Sequence, residues 1–235
     1  MNFNLFLEEI NKLSITLNEE QQIQIKEYID ELIEYNSHTN LTAIRNYEDI
    51  LLKHFYDSIT LVKAYDFTKE VNVLDIGSGA GFPGLVLKIV FPNIKLTLLD
   101  SNNKKTKFLN QIVNNLKLTN IEIINDRAEN FIKDNREKFD VVTSRAVAHL
   151  RIISELSIPY LKIGGKFLVM KTNSDEELQE SISTINYLNS EIEKILEIEL
   201  PIEHSKRNII IIKKNKSNGN NVPRNYSQIV KKSII

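Results

Sequence analysis

The chain contains no cysteine. That removes disulfides, zinc–thiolate centres and any reaction that needs a thiolate nucleophile. No apolar run approaches the length needed to cross a bilayer, and Met1 to Asn11 carry acids where a secretory leader would be basic. A cytoplasmic location with no membrane partner is therefore expected. No strong charge of either sign is present: 30 Lys and Arg oppose 31 Asp and Glu, for a formal net charge of −1. No global basic field advertises nucleic acid. There is no internal repeat. Glycine is scarce, with 7 in 235 residues, and four of them fall between Gly77 and Gly84. A chain so poor in glycine that gathers it in one place uses it for a local backbone requirement.

What is present is ordinary for a globular protein, with 42% hydrophobic and 26% charged residues. The length suits one α/β domain with a helical extension. Charge is unevenly spread: the first thirty-odd residues are acid-rich. The end carries Lys206, Arg207, Lys213, Lys214, Lys216, Arg224, Lys231 and Lys232, either a solvated basic tail or a phosphate-binding patch. Helical periodicity covers 3–14, 19–36 and 47–64. Ile23, Ile25, Ile29, Leu32 and Ile33 form an apolar set in the second, which Asn18 caps; Ile50, Leu51, Phe55, Ile59 and Leu61 point inward in the third. From residue 71 strands alternate with helices: strands at 71–76, 95–99, 121–124, 139–143 and 165–170, the last after a Gly-Gly turn, and helices at 85–90, 103–116 and 150–161. A helix at 174–188 and a hairpin of strands 192–200 and 207–213 follow. This order predicts a mostly parallel, doubly wound Rossmann-like sheet of seven strands with an antiparallel C-terminal hairpin. The expected organisation is a helical extension over 1–68 packed on the core, a catalytic domain over 69–215, and a basic tail over 216–235.

The strongest motif is Val73-Leu74-Asp75-Ile76-Gly77-Ser78-Gly79-Ala80-Gly81-Phe82-Pro83-Gly84, which runs strand, acid, glycine loop, helix. Glycines let the chain turn tightly and let a ligand approach closer than a Cβ permits. Pro83 is pre-set for the first turn of the next helix. Asp100 ends the following strand, where an acid reaches both hydroxyls of a ribose. Two cofactors fit. Gly79-x-Gly81-x-x-Gly84 formally matches a dinucleotide fingerprint, but it lies one step late. Gly77 directly follows the strand, and the resulting Gly-x-Gly-x-Gly loop preceded by an acid resembles motif I of class I methyltransferases. The ligand of those enzymes has an ammonium end, for which Asp75 offers a negative charge.

After the third strand comes Asn125-Asp126-Arg127-Ala128-Glu129-Asn130-Phe131, and the fourth strand leads into Thr143-Ser144-Arg145-Ala146-Val147. The C-terminal end of a central strand is where doubly wound sheets hold function. The Asn-Pro-Pro-aromatic run of exocyclic-amine methyltransferases is absent there, and the cysteine that pyrimidine C5 methylation requires is missing from the whole chain. Arg145 takes the place instead.

These motifs occur in order with Asn40-Leu41-Thr42-Ala43-Ile44, Lys53-His54-Phe55, Asp57-Ser58, Asp100-Ser101, Lys104 and Phe108-Leu109. Together they resemble the glucose-inhibited division protein B family, also called RsmG, over roughly residues 35 to 172. The resemblance implies a class I S-adenosyl-L-methionine-dependent methyltransferase acting on N7 of one guanine, nucleotide 527, in 16S rRNA of the small ribosomal subunit. It implies a cofactor pocket made by Gly77, Gly79, Phe82, Asp100, Ala128 and Glu129, with Arg145 beside the cofactor and available to an RNA phosphate. Lys171-Thr172 replaces the family's Lys-Gly, and the family's C-terminal pattern survives as Pro223-Arg224 and Lys231-Lys232, with Ser227 and Ser233 where Gly and Pro are expected.

Guanine N7 is a lone-pair nucleophile that loses no proton on attack, so no general base is required and no metal is expected. His54, beside Phe55 on a helix, reads as a packed residue rather than a base. The RNA contacts are expected at phosphates, through Lys104, Lys105, Lys107, Arg207, Arg224, Lys231 and Lys232. The sequence does not fix the oligomeric state; a monomer is expected. The competing readings are a methyltransferase of a small molecule or protein on the same fold, a non-catalytic RNA-binding module and a nicotinamide-binding protein.

Overall fold

The computed structural model describes residues 1–172 and 175–234. Helix α1 (Phe3–Asn11) and helix α2 (Glu19–Thr39) open the chain. Asn18 and Gln21 form a reciprocal capping box at the start of α2, with both bonds at 2.9 Å. Gln21 also donates to the carbonyls of Ile89 and Val90, at 2.8 and 3.1 Å, and so closes the end of a second helix that α2 packs against. Ile25, Tyr28, Ile29 and Leu32 are buried, but Ile23 is 54% exposed. The apolar set predicted for α2 is corrected at that position: Ile23 lies two residues before Ile25, about 200° around the helix, and faces solvent.

Residues 47–63 are helical throughout, as α3 (Tyr47–Ile50), a π-helical stretch Leu51–Tyr56, α4 (Asp57–Ile59) and a tight 3₁₀ turn Thr60–Lys63. Ile50, Leu51, Phe55, Ile59 and Leu61 are all fully buried, as their spacing predicts.

Seven strands follow: β1 (Asn72–Ile76), β2 (Lys95–Leu99), β3 (Ile121–Ile124), β4 (Phe139–Arg145), β5 (Leu161–Lys171), β6 (Ser190–Glu199) and β7 (Lys206–Lys214). Their order across the sheet is β3-β2-β1-β4-β5-β7-β6. The first five are parallel and β7 runs antiparallel between β5 and β6. Helices α5 (Gly84–Val90), α6 (Asn103–Asn115), α7 (Ala128–Phe131), α8 (Leu150–Ser157), α9 (Asp175–Tyr187) and α10 (Tyr226–Lys231) complete the chain. Residue 174, the expected start of the helix before β6, lies outside the described residues. The helix expected over 150–161 stops at Ser157 and continues as a 3₁₀ turn, because Pro159 lacks the N–H that another α-turn needs.

β5 begins earlier than its composition suggests. Gly164-Gly165 is no turn in front of the strand. It is part of a wide bulge within it, since Phe139 pairs with Leu161 and Val141 with Lys166. A Cβ on Gly165 would lie 3.0 Å from the Asp140 carbonyl, so the close approach requires glycine.

Alternation along the strands gives two cores. Val73, Leu96, Leu98, Val141, Leu168, Ile209 and Ile211 face α1, α2, residues 47–63, α5 and α6. Leu74, Ile76, Leu99, Val142, Phe167, Val169, Ile210 and Ile212 face α8, α9 and the C-terminal residues Val222 and Ile229. The N-terminal helices thus supply one layer over the sheet. Among the described residues, no helix is long and apolar enough to cross a membrane.

Candidate active site

The glycine loop is built by hydrogen bonds to the two strands beneath it. Gly77 and Ser78 donate to the Leu99 carbonyl at 2.8 and 3.2 Å, and the Ser78 hydroxyl donates to the Asp75 carbonyl at 2.8 Å. Gly77 and Gly81 hold φ of +71° and +99°. At Gly77 a Cβ would lie 2.5 Å from Val147 of the loop after β4, so glycine answers both the dihedral and the contact. Tyr28 of α2 donates its hydroxyl to the Ala80 carbonyl, tying the N-terminal layer to the loop.

Asp75 plays a different part from the one its place before the loop suggests. It is fully buried and is not among the residues lining the cleft described below. One carboxylate oxygen accepts the Gly84 N–H at 2.9 Å, at the start of α5, while the other has no hydrogen-bond partner. Burial pushes its pKa up to about 7, against the pull of the Gly84 N–H and Arg145, with the Asp100 charge adding to the rise. Asp75 therefore latches the loop to α5 from behind.

A cleft of about 340 Å³ opens at the carboxyl ends of the parallel strands. It runs from Asp126, Arg127, Ala128 and Glu129 after β3, past Asp100 and Ser101 after β2 and Gly77 after β1, to Ala146 and Val147 after β4. Ile76, Leu99 and Leu156 supply apolar wall, and Lys105 and Tyr226 complete the lining. Asp100 is fixed by two backbone donors, Gly79 at 2.9 Å and Asn102 at 2.8 Å, one to each oxygen. Each oxygen keeps a second lone pair. Lys105 stands 3.8 Å from the same carboxylate, so this lysine faces inward instead of presenting itself to an RNA backbone. Ala128 and Glu129 open α7, and their N–H groups have no partner within the helix, while those of Asn130 and Phe131 donate to the Arg127 carbonyl at 3.0 and 3.1 Å. The Glu129 carboxylate accepts from Arg127 Nε at 2.6 Å. Gly79, Phe82 and Arg145 lie outside the residues that line the cleft.

Those last two belong to a packed cluster next to the glycine loop. The Phe82 ring, 5% exposed, is stacked between Tyr28 at 5.5 Å and His54 at 4.5 Å. The Arg145 guanidinium lies 5.2 Å from the same ring. Arg145 donates to the Lys53 carbonyl at 3.0 Å, to Asp57 at 3.1 Å and to His54 Nδ1 at 2.8 Å. Arginine only donates, so His54 Nδ1 carries the lone pair and its Nε2–H donates to the Thr42 hydroxyl at 2.9 Å. Burial, then the Arg145 charge, pulls the His54 pKa down to about 3. His54 is a neutral ring whose one lone pair is taken, which removes it as a base. Asp57 is 4% exposed and also lies 3.6 Å from Arg207 of β7. Burial raises its pKa, and the two arginines act against the rise.

The basic residues expected at RNA divide in two. Lys104, Lys107, Lys231 and Lys232 are exposed, and the first two belong to α6, the helix that carries the cleft residue Lys105. Arg207 is turned toward Asp57. Arg224 forks onto the buried Glu155 at 2.9 and 2.7 Å and donates to the Lys232 carbonyl at 3.1 Å. Among the described residues no group of three or more His, Asp or Glu side chains is placed to hold a metal ion.

The model of the family described as rRNA small subunit methyltransferase G matches residues 21–210. The chain belongs to the rRNA small subunit methyltransferase G family. It is 44% identical to the ribosomal RNA small subunit methyltransferase G of Oceanobacillus iheyensis over 222 residues, 93% of each chain. It is 42% identical to that of Staphylococcus carnosus over 228 residues, 95% of each chain. Among solved structures, it is similar to a SAM-dependent methyltransferase from Aquifex aeolicus, with a TM-score of 0.56 at 18% identity, covering 74% of this chain and 96% of the other. A precorrin-6y C5,15-methyltransferase from Geobacter metallireducens gives a TM-score of 0.54 at 16% identity, over 68% and 87% of the two chains. At such identities these structures establish the class I methyltransferase fold and no more. In this rRNA small subunit methyltransferase G family member, sequence reasoning missed Tyr226, Leu156 and Val147 as lining residues. Only Tyr226 carried a signal, as the single aromatic residue in the sequence of the tail over 216–235.

Proposed function

We propose that the chain is an S-adenosyl-L-methionine-dependent methyltransferase of 16S rRNA that modifies guanine N7 at nucleotide 527. The observation that carries the cofactor reading is Asp100 at the end of β2, held by Gly79 and Asn102 with one lone pair spare on each oxygen, in a cleft that also holds the α7 N-terminus. The residues fit a nucleoside. The Asp100 oxygens accept the two ribose hydroxyls, the Ala128 and Glu129 N–H groups serve the edge of adenine, and Ile76, Leu99 and Leu156 receive its apolar faces. Asp126 and Glu129 add two carboxylates to the same lining, which disfavours a pyrophosphate beside them. The cofactor, when bound, supplies a methyl group on a sulfonium centre.

A substrate with its own lone pair suits this site. There is no cysteine for C5 chemistry, and the neighbouring histidine spends its lone pair on Arg145. N7 of guanine needs neither, because attack leaves the positive charge on the base without loss of a proton. The chain's work is then alignment of the base with the methyl group and exclusion of water. Phosphate contacts from Lys104, Lys107, Lys231 and Lys232, all exposed, hold the RNA and make its binding salt-dependent. Methylation of unmodified 16S rRNA with labelled S-adenosylmethionine, followed by chemical cleavage at N7-methylguanine, tests the reading. One labelled site at nucleotide 527 is expected. Label at another atom, or cofactor turnover without RNA, overturns it.

A further inference from the structure

The C-terminal tail brings an aromatic ring to the rim of the cleft. Tyr226, the first residue of α10, lines it together with residues far earlier in the chain. The ring's place is set by anchors on either side. Before it, Val222 is 2% exposed, and Arg136 donates to the Val222 carbonyl at 2.5 Å. Arg224 forks onto Glu155, which is 1% exposed. After it, Ile229 is fully buried, and Arg151 donates to the Ile229 carbonyl at 2.7 Å. Between these anchors Tyr226 itself stays 36% exposed. The segment is thus held by its neighbours; the Arg127 guanidinium lies over one face of the ring, and the rest of it is left open to a ligand.

Strand order says which end of the cleft the ring serves. The Arg127 guanidinium lies 4.9 Å from the Tyr226 centroid, and Arg127 is clamped in turn by Glu129. These residues follow β3, at the end of the cleft farthest from Ala146 and Val147 after β4. The ribose acid Asp100 lies between the two ends. The adenine therefore falls at the Tyr226 end, and the methyl group and target base fall at the other.

The geometry points to Tyr226 as a stacking cap on the adenine end of the cleft, so that the tail is part of the cofactor site. This rests on the cofactor reading above. An aromatic face against a purine is sequence-tolerant and strong for its size, and the aliphatic walls Leu99 and Leu156 give no such plane.

The test is calorimetric titration of the full chain with S-adenosylhomocysteine and with adenosine, for the unaltered protein, Tyr226→Ala, Tyr226→Phe and Tyr226→Leu. Tyr226→Ala is expected to raise both Kd values by about tenfold. In turnover it raises KM for the cofactor and leaves kcat unchanged at saturation, a split that general loosening of the fold would not produce. Tyr226→Phe keeps the affinity within about twofold, since the ring and not the hydroxyl does the stacking. Tyr226→Leu keeps bulk against Arg127 and shows an intermediate loss, which preserves the test should the alanine variant not fold. Unchanged Kd values in the alanine and leucine variants overturn the cap, as does an alanine variant whose only defect is a raised KM for RNA. Equal losses in Tyr226→Phe and Tyr226→Ala also overturn it, by assigning the effect to the hydroxyl. Failure of the unaltered chain to bind either ligand is a distinct result: it overturns the cofactor reading, and the cap with it.

Discussion

Two regions at the carboxyl ends of the strands use charge in opposite ways. Beyond β3, β2 and β1 the carboxylates of Asp100 and Glu129 line an open cleft. At the end of β4 and the start of the antiparallel β7, Arg145, Arg207, Asp57 and His54 close on one another against residues 47–63. The open region has capacity left over: spare lone pairs on Asp100, the N–H groups of Ala128 and Glu129, a ring on Tyr226. The closed region has committed its charges to folding. An arginine at the end of a central strand is therefore no measure of ligand binding by itself; what matters is whether its donors are already taken. Arg145 commits three of its five N–H groups to hydrogen bonds within the chain.

The largest effect expected in this comparison is structural. Arg145→Ala leaves the buried Asp57 with Arg207 alone, at 3.6 Å, and should cost about 3–5 kcal/mol in urea denaturation. A variant as stable as the parent, defective only on RNA, would break the contrast by showing that Arg145 is held loosely. Next comes Asp100→Ala in the open region. Loss of the acceptors for two ribose hydroxyls should weaken S-adenosylmethionine about 100-fold, about 2.7 kcal/mol, by calorimetry. Unchanged affinity would remove Asp100 from the cofactor.

A somewhat smaller effect concerns pH. His54 has a folded pKa of about 3 against its ordinary 6.5, so it is held neutral. Its contribution to stability is complete above pH 6.5 and declines as pH falls toward 3. Asp75, raised to about 7 from 3.8, acts in the opposite sense: it favours the fold while protonated and costs stability as pH rises through that window. The two oppose each other in the parent, so the His54 effect is read by difference. Relative to His54→Asn, which keeps an acceptor for Arg145, the parent should lose about 2 kcal/mol on going from pH 7 to pH 5. Equal losses in both proteins would mean that the ring takes a proton in place. The smallest effect is at the surface. Lys104→Ala should weaken RNA binding several-fold and flatten its salt dependence by about one unit of slope, measured by filter binding across ionic strengths.

Legibility differed between these same regions. The place of Gly77, Asp100 and the Ala128-Glu129 pair at the cleft could be read because each sits within a few residues of a strand end, where doubly wound sheets open their crevice. The fates of Arg145, Arg207 and Arg224 could not be, because their partners Asp57 and Glu155 lie between 69 and 150 positions away. The latch at Asp75 was hidden for a related reason: alternation along β1 sends its side chain beneath α5, and face depends on a single residue of register. His54 was read correctly as packed, though nothing in the sequence revealed that Arg145 would occupy its lone pair.

The sequence by itself determined the periodicities, the caps and the strand ends, and so the doubly wound sheet and the place of its cleft, because these depend on neighbours within a turn or a strand. Tertiary structure alone decided that β7 would enter between β5 and β6, that the arginines would be consumed in ion pairs, and that a tail tyrosine would reach the cleft. Each of those depends on which distant segments share a surface, and the partners those segments bring then decide whether a charge is committed to the fold or left open to a ligand.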